Sequence, residues 1–305
     1  MPHAIQYDEY GPPEVLHLAD VPELTAGPGK IRVAVRAAGV NPFDWKVRSG
    51  AFRQAFSVDF PNTPGSEFSG VIDQVGEGVT RFAVGDEVLG RGSATYAEQA
   101  VVDPGGSELK PAGLSWEAAA ALPVAVSAAY RVLVPLGLEA GQTLLVDGAA
   151  GGVGGILVQV ARARGLEVIG TASERNHARL RELGATPVLY GEGLADRVRA
   201  VAPSGVDAAA DLAGKGSLDT LVELTGDPAR VVTIADTAGA SRLGARSTGG
   251  SDQPPPDALA EAIGLVVEGR LRVPVGSVYP LAQAADAQRE SESGRSDGRI
   301  ILRVS

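Results

Sequence analysis

A glycine- and alanine-rich run lies where a backbone can most readily bind a phosphate. The segment Gly148–Gly154 (GAAGGVG) follows the apolar run 143–147 and opens a predicted helix over 152–164. Glycines there let the backbone approach a pyrophosphate, whose charge is met by the N–H groups and dipole at the helix start. Turn glycines in an α/β domain without a ligand are the alternative. The predicted cofactor contacts are Ala149, Ala150, Gly151, Gly152, Val153 and Gly154.

The end of the next predicted strand, 167–172, indicates which nucleotide fits. An NAD site needs an acidic residue at this strand tip to bind the ribose 2′-hydroxyl. Here Ser173 and Arg175 follow the strand and offer a hydroxyl and a cation to a 2′-phosphate, although Glu174 lies between them. We therefore expect NADPH rather than NADH as the cofactor. The alternative for Arg175 is an ordinary solvated residue at the start of a helix.

Composition excludes several other classes of function. A formal net charge of −10, without a basic cluster, argues against nucleic-acid binding. The chain has no cysteine, and its three histidines are far apart in sequence, so neither a disulfide nor a zinc site is expected. No apolar run approaches the roughly 20 residues that span a bilayer, and the N-terminus lacks the pattern of a secretory signal. The expected location is the cytoplasm.

Two patterns of elements divide the chain. Up to about residue 120, short β-rich runs predict strands over 30–37, 70–75, 86–89 and 96–102. From about residue 139, strands and helices alternate, which is typical of a doubly wound parallel sheet. The segment 236–256 is rich in Gly, Ser, Thr and Pro and predicts a loop. A helix over 257–268 and a strand over 299–304 are expected beyond it.

Longer motifs resemble a known family. The run Gly141-Gln142-x-x-Leu145-x3-Ala149-Ala150-Gly151-Gly152-x-Gly154-x4-Gln159-x-x-Arg162 resembles the quinone oxidoreductase and ζ-crystallin signature of the medium-chain dehydrogenase/reductase superfamily. Further matching landmarks are Gly39-Val40-Asn41-Pro42-x-Asp44, Arg48-Ser49-Gly50, Pro64-Gly65-Ser66-Glu67-Phe68-Ser69-Gly70, Val84-Gly85-Asp86-Glu87-Val88 and Gly298-Arg299-Ile300-Ile301-Leu302. The resemblance covers essentially the whole chain.

The resemblance implies an α/β architecture in two parts. A GroES-like, β-rich catalytic domain would comprise residues 1–122 and 257–305, with a Rossmann NADPH-binding domain of doubly wound parallel sheet inserted over 123–256. It also implies an active site in the cleft between the domains, and a homodimer. Zinc enzymes of this superfamily carry Cys and His where this chain has Asn41 and Ser66, and a further Cys near Pro123. The chain therefore resembles the zinc-free branch.

The resemblance also assigns roles to single residues. Asn41 and Lys46 would line the substrate pocket, although many quinone oxidoreductases have Tyr at the second position. Ser127 would contact the cofactor near the nicotinamide or its phosphates. His177 takes the place where a Lys often reaches the 2′-phosphate, and Tyr190 matches a residue that packs near it.

Without a metal, reduction of an electron-poor acceptor needs less assistance than alcohol oxidation. We expect hydride transfer to a quinone or an α,β-unsaturated carbonyl, with Lys46 and Asn41 donating hydrogen bonds to the developing oxyanion. The alternative for Lys46 is a surface lysine beside Trp45, and the alternative for Asn41 is a turn residue before Pro42.

Two other classes of function stay open. One is a non-catalytic, ζ-crystallin-like NADPH-binding protein, and the other is a zinc-independent alcohol dehydrogenase. Asp44 is expected to hold a loop or to pair with Lys46. Phenylalanines of the segment 51–62 are candidates for the wall of an apolar acceptor pocket, with core packing as the alternative.

Overall fold

The computed structural model describes residues 1–249 and 252–304. Its strands are β1 (His3–Gln6), β2 (His17–Asp20), β3 (Ile31–Val40), β4 (Glu67–Val75), β5 (Glu87–Arg91), β6 (Gln99–Val102), β7 (Ser107–Leu109), β8 (Thr143–Asp147), β9 (Glu167–Ala172), β10 (Thr186–Leu189), β11 (Ala208–Asp211), β12 (Val231–Thr233), β13 (Arg246–Ser247), β14 (Val275–Pro280) and β15 (Arg299–Arg303). Its α-helices are α1 (Pro42–Arg48), α2 (Trp116–Ala120), α3 (Pro123–Leu133), α4 (Gly152–Ala163), α5 (His177–Glu182), α6 (Leu194–Val201), α7 (Leu218–Thr225), α8 (Thr237–Leu243), α9 (Ala258–Val267) and α10 (Ala284–Ser293).

The chain forms two compact units. Unit 1 contains Met1–Val124 and the segment from Val273 onward, and unit 2 contains Ala125–Arg272. The return to unit 1 therefore comes later than the expected boundary at residue 257. Helix α9 belongs to unit 2, where Arg164 donates to Glu261 and the Arg270 guanidinium donates to the Ala163 carbonyl.

Unit 2 contains a six-stranded sheet in the order β10-β9-β8-β11-β12-β13, and every pairing in it is parallel. Strands β8, β9, β11 and β12 are nearly continuous apolar runs because helices follow them along the chain and cover them. Leu145, Ile169 and Ala209 lie in one buried cluster with side chains of α6, α7 and α8. The predicted doubly wound architecture is confirmed.

The prediction of a loop over 236–256 is wrong for part of that segment. Helix α8 begins after Asp236, whose carboxylate accepts from the Gly239 N–H, and β13 pairs with β12. The sequence pattern did not predict this helix because its buried positions are Gly239 and Ala240. Neither residue type gives the apolar periodicity that indicates a helix. Residues 250 and 251 of the predicted loop lie outside the described residues.

Unit 1 is built on a seven-stranded sheet in the order β14-β15-β3-β4-β5-β7, with β6 also paired to β3. Its pairings are antiparallel except for β14 with β15. The predicted β-rich character is confirmed. The register places Ile300 opposite Val40 and Phe68 opposite Ala38, so the ends of three neighbouring strands meet near Asn41.

Within the described residues, one helical segment is long and apolar enough to cross a membrane. Trp116–Leu136 has 21 residues and a hydropathy of 1.6, and 78% of its apolar window is buried inside the protein. The prediction that no apolar run approaches this length overlooked this stretch, because its apolar residues are interrupted by small and polar ones. Such burial is typical of a core helix.

Candidate active site

The glycine turn, residues 148–154, is fixed by β9. Gly148 has a φ of +80°, a conformation that glycine adopts without strain. Its N–H donates to Thr171 Oγ1 at 3.0 Å, and the Ala149 N–H donates to the Thr171 carbonyl at 3.2 Å. Ala149 is fully buried, so its side chain supports the turn from below. The backbone amides of Gly148 and Ala149 are therefore engaged inside the protein.

The N–H groups of Gly152, Val153 and Gly154 are available to an anion, whereas the Gly151 N–H donates to the Gly148 carbonyl. Helix α4 begins at Gly152 with Gly151 as its N-cap, and no side chain caps it. The first N–H groups of a helix have no partner within the helix, and their dipoles favour a negative charge. Gly154 lets the helix start close to the turn, since a Cβ there would lie 2.7 Å from Ala149 Cα. The turn thus offers uncapped N–H groups to a phosphate.

The end of β9 carries polar and cationic groups. Ser173 is partly exposed and precedes a 3-10 turn over Glu174–Asn176, which leads into α5. Arg175 is exposed, and no hydrogen bond or ion pair of its side chain is found within the described residues. His177 Nε2 lies 3.3 Å from the Ala172 carbonyl oxygen. Tyr190 is 55% exposed, just after β10.

Asp147, at the end of β8, was missed by the sequence reasoning. It is 3% exposed and accepts from the Thr171 hydroxyl on one oxygen and from Ser217 Oγ, at 2.5 Å, on the other. The carboxylate therefore joins the ends of β8 and β9 to the loop that follows β11. An acidic residue ending a buried strand was the available signal, although its partners lie 24 and 70 residues away.

Ser127, the expected contact near the nicotinamide, is a buried residue of α3 with 4% exposure.

In unit 1, three side chains form a group that we name the buried network: Asn41, Glu67 and Arg299. Asn41 Nδ2 donates to Glu67 Oε1 at 2.8 Å, and Asn41 Oδ1 accepts from the Arg299 guanidinium at 2.9 Å. Arg299 also pairs directly with Glu67. All three are at most 5% exposed. Such a pair is retained only when geometry and extra hydrogen bonds compensate for desolvation.

Two further groups lie against Glu67. Its second carboxylate oxygen accepts from the Val124 N–H at 2.8 Å, near the start of α3. Gly39 lies opposite, where a Cβ would come 2.6 Å from the Glu67 carboxyl carbon. The Glu67 carboxylate therefore lies where any side chain at position 39 would clash with it.

Asp44 lies beside this network and is 3% exposed. It accepts from Ser66 Oγ at 2.5 Å, from the Asn41 N–H at 2.9 Å and from the Tyr96 hydroxyl at 2.9 Å. Burial raises the pKa of Asp44 to about 6, and these three hydrogen bonds limit the rise. Asp44 does not pair with Lys46, so of its two predicted roles the structure supports holding the loop.

Lys46 is a half-buried cation of this region. Its Nζ lies 5.6 Å from the ring centroid of Trp45 and 5.6 Å from that of Phe52. No carboxylate partner for it is found in the described part of the chain. Aromatic faces attract an ammonium group but leave its N–H donors available.

The phenylalanines of the segment 51–62 separate into two groups. Phe52 and Phe56 pack with Phe43, with ring centroids 5.2 to 6.2 Å apart. Phe60 instead contacts Tyr7 and Tyr10. Phe43 and Phe56 are 39% and 42% exposed, so the first group presents apolar surface beside Lys46.

Comparison with known proteins identifies the chain. The model of the alcohol dehydrogenase GroES-like domain matches residues 27–135, and that of a zinc-binding dehydrogenase matches 183–302. A quinone oxidoreductase of Pseudomonas aeruginosa is 32% identical over 326 residues, which cover 99% of each chain. The chain belongs to the quinone oxidoreductase family of the medium-chain dehydrogenase/reductase superfamily. It is accordingly an oxidoreductase.

Solved structures agree with membership of the quinone oxidoreductase family. One described as an NAD-dependent alcohol dehydrogenase has a TM-score of 0.90 at 30% identity, with both chains covered fully. The Escherichia coli quinone oxidoreductase, complexed with NADPH, has a TM-score of 0.86 at 25% identity and covers 99% of this chain.

Ser66 and Asn41, which take the places of zinc ligands in related enzymes, contact other protein groups. In residues 1–249 and 252–304, no group of three or more His, Cys, Asp or Glu side chains is arranged to hold a metal ion. Ser66 hydrogen-bonds Asp44, and Asn41 belongs to the buried network.

Proposed function

We propose that this quinone oxidoreductase family member is a zinc-free, NADPH-dependent reductase that transfers hydride to a quinone or an α,β-unsaturated carbonyl. The observation that carries the proposal is an uncapped helix start at Gly152 together with Ser173 and Arg175 after β9, where the Arg175 side chain has no partner among residues 1–249 and 252–304. The first favours a pyrophosphate, and the second favours a 2′-phosphate over a 2′-hydroxyl.

The proposed cofactor fits the groups that unit 2 presents. The N–H groups of Gly152, Val153 and Gly154 would bind the pyrophosphate, while Ala149, Ala150 and Gly151 shape the turn. Ser173, Arg175, His177 and Tyr190 would surround the 2′-phosphate, and Ser127 would contact the cofactor at its other end. When bound, NADPH would supply the hydride.

The acceptor would be bound by groups of unit 1. Lys46 would donate to the oxygen on which negative charge develops, because its ammonium group has no carboxylate partner within the described residues. Asn41 has its amide oxygen and one amide hydrogen engaged in the buried network, so its remaining hydrogen would be the second donor. The exposed rings of Phe43 and Phe56 would contact a planar acceptor.

A specific observation favours a second candidate, an alcohol dehydrogenase, since one similar structure is described as an NAD-dependent alcohol dehydrogenase. The two candidates differ in direction and in cofactor. The first predicts oxidation of NADPH by quinones or enones, and the second predicts reduction of NAD⁺ by alcohols.

The experiment follows the absorbance of the reduced nicotinamide with both cofactors and with panels of quinones, enones and alcohols. We expect turnover with NADPH and an electron-poor acceptor that persists after treatment with a chelator. Arg175→Gln should raise the NADPH dissociation constant by about tenfold with little effect on NADH. Arg230→Gln is the matched control, because Arg230 is exposed and precedes β12 at the amino edge of the same sheet.

Three other outcomes would favour a different function or contradict part of the proposal. Tight NADPH binding without turnover would favour the non-catalytic binding protein, and turnover only with alcohols would favour the dehydrogenase. Loss of activity on chelation would contradict the zinc-free proposal. We also propose a cytoplasmic homodimer, to be tested by fractionation of cells and by light scattering.

A further inference from the structure

The loop between β11 and α7 is a second ordered turn at the carboxyl edge of the unit 2 sheet. Asp211, which ends β11, is 1% exposed, and its Oδ1 accepts from the N–H groups of Ala213, at 3.0 Å, and Gly214, at 2.8 Å. Gly214 and Gly216 have φ values of +60° and +82°. Lys215 lies between these two glycines and is exposed. Hydrogen bonds from the loop backbone to Asp211 therefore fix the loop, and its lysine side chain is exposed to solvent.

This loop is joined to the glycine turn. Ser217 Oγ donates to Asp147 Oδ2 at 2.5 Å, while the Thr171 hydroxyl donates to Oδ1 of the same carboxylate. A Cβ added to Gly148 would lie 3.2 Å from Ala213 Cβ, so the loop packs directly against the turn. Side-chain hydroxyls from both sides of β8 thus donate to one buried carboxylate.

Two cations lie close in sequence to the residues that donate to that carboxylate. Arg175 is four residues beyond Thr171, and Lys215 is two residues before Ser217. Since β8 lies between β9 and β11, the two strand ends are roughly 10 Å apart. Both side chains are long and flexible enough to approach an anion between them.

Lys215 differs from the paired lysines of unit 1. Lys30 pairs with Asp103 at 3.2 Å, and Lys110 pairs with Glu87 at 2.9 Å. No carboxylate or hydrogen-bond acceptor is found for the Lys215 ammonium group within the described residues. An ordinary solvated lysine is the alternative, but such a lysine would not need a backbone fixed by Asp211 and joined to the glycine turn.

We propose that Lys215 is a second cationic contact for the 2′-phosphate of NADPH, on the side of that phosphate opposite Arg175. This inference rests on the proposed function and deepens it by adding a residue that selects the phosphorylated cofactor. The pyrophosphate is the less suitable target for Lys215, because the N–H groups of α4 already meet its charge. A phosphomonoester carries up to two charges, and among the four residues proposed above to surround it Arg175 is the one permanent cation.

The test measures binding of NADPH and of NADH to the full chain by calorimetry, for wild type, Lys215→Gln, Lys215→Arg and the Arg230→Gln control. We expect Lys215→Gln to weaken NADPH binding by about tenfold and NADH binding by less than about twofold. Lys215→Arg should retain most of the affinity, and Arg230→Gln should match wild type. The far-UV circular dichroism of each variant is compared with wild type to confirm folding.

The outcomes separate this inference from the proposed function. If the wild type binds NADPH tightly but Lys215→Gln is unchanged, Lys215 has no role and the proposed function stands. Equal losses for NADPH and NADH would also overturn the inference, since they would indicate a contact to a group that both cofactors share. If the wild type binds neither nucleotide, the proposed function fails together with the inference.

Discussion

The two polar centres of this protein are built by opposite means. The glycine turn of unit 2 comes from seven consecutive residues and offers backbone N–H groups at a helix start. The buried network of unit 1 joins side chains 26 and 258 residues apart, and all of its members are charged or polar groups removed from water. A site built from backbone N–H groups can be disturbed by one added methyl group, as in a Gly→Ala substitution. A network of buried charges is disturbed when one of its charged side chains is removed. Substitutions should therefore affect the two centres differently.

Glu67→Gln should give the largest loss of stability. It leaves the buried Arg299 guanidinium without a counter-charge, which costs about 3–5 kcal/mol in comparable cases. Both tryptophans, Trp45 and Trp116, belong to unit 1, so urea unfolding followed by tryptophan fluorescence reports on this unit.

Two further variants sharpen that measurement. Glu77→Gln changes an exposed carboxylate of the same unit and should shift the unfolding free energy by less than about 0.5 kcal/mol. The double variant Glu67→Gln/Arg299→Met should be more stable than the sum of the single changes predicts. Additive losses would indicate that the two side chains act independently.

Asp44→Asn should change how the stability of unit 1 depends on pH. The pKa of Asp44 is raised from 3.8 to about 6, so the folded state binds its proton more tightly than the unfolded state does. The favourable contribution is complete below about pH 4 and is lost as the pH rises through 6, which amounts to roughly 3 kcal/mol.

The Asn variant should lack that decline. Urea unfolding of wild type and variant at several pH values between about 4 and 7 measures the difference. Asp59→Asn, which changes an exposed carboxylate, should retain the wild-type pH dependence. Parallel curves for wild type and Asp44→Asn would refute the assigned role of burial.

Gly154→Ala should act mainly on nucleotide binding. Its Cβ would lie 2.7 Å from Ala149 Cα, so the start of α4 must shift away from the turn. We expect a loss of about 1–3 kcal/mol in stability and at least about tenfold in NADPH affinity.

Gly155→Ala is the matched control for this variant. Its Cβ would make an ordinary contact, 3.6 Å from a methyl carbon of Leu183, and Ala favours a helix by up to about 1 kcal/mol over Gly. Calorimetry with NADPH compares the two variants, and equal affinity would contradict the argument from close packing.

Lys46→Gln should have the smallest effect on stability, below about 0.5 kcal/mol, because Lys46 belongs to neither centre. Its expected effect is on turnover, with kcat/KM for the acceptor lowered by about tenfold and NADPH affinity unchanged. Steady-state kinetics at saturating NADPH provides the measurement. An unchanged kcat/KM would remove Lys46 from the acceptor site.

Local signals explain which elements were predictable. Strands β8 and β9 match their predicted bounds because short, β-branched, apolar runs end at turn residues on both sides. Helix α8 was missed because its buried positions are Gly and Ala, and α10 was missed because its sequence, AADAQRESES, has little apolar character. Both helices depend on surfaces provided by other elements.

The candidate site divides in the same way. The strand, turn and helix around residues 148–154 were predictable because they are consecutive in the chain, whereas the roles of the glycine turn and of Ser173 in nucleotide binding stay predictions. Asp147, Glu67 and Arg299 were not predicted as members of polar centres. Their partners come from distant segments, and only sheet pairing places Arg299 beside Asn41.

The sequence by itself determined the two-part architecture, the family and the position of the glycine turn, because each is encoded by consecutive residues of fixed spacing. Tertiary structure decided where unit 2 ends, which amides of the turn are free and which carboxylates are buried. Those properties depend on which distant groups become neighbours, and on how much water they lose when they do so. Lys215 illustrates this dependence, since an unremarkable lysine in the sequence becomes a candidate cofactor contact only when Asp147 joins its loop to the glycine turn.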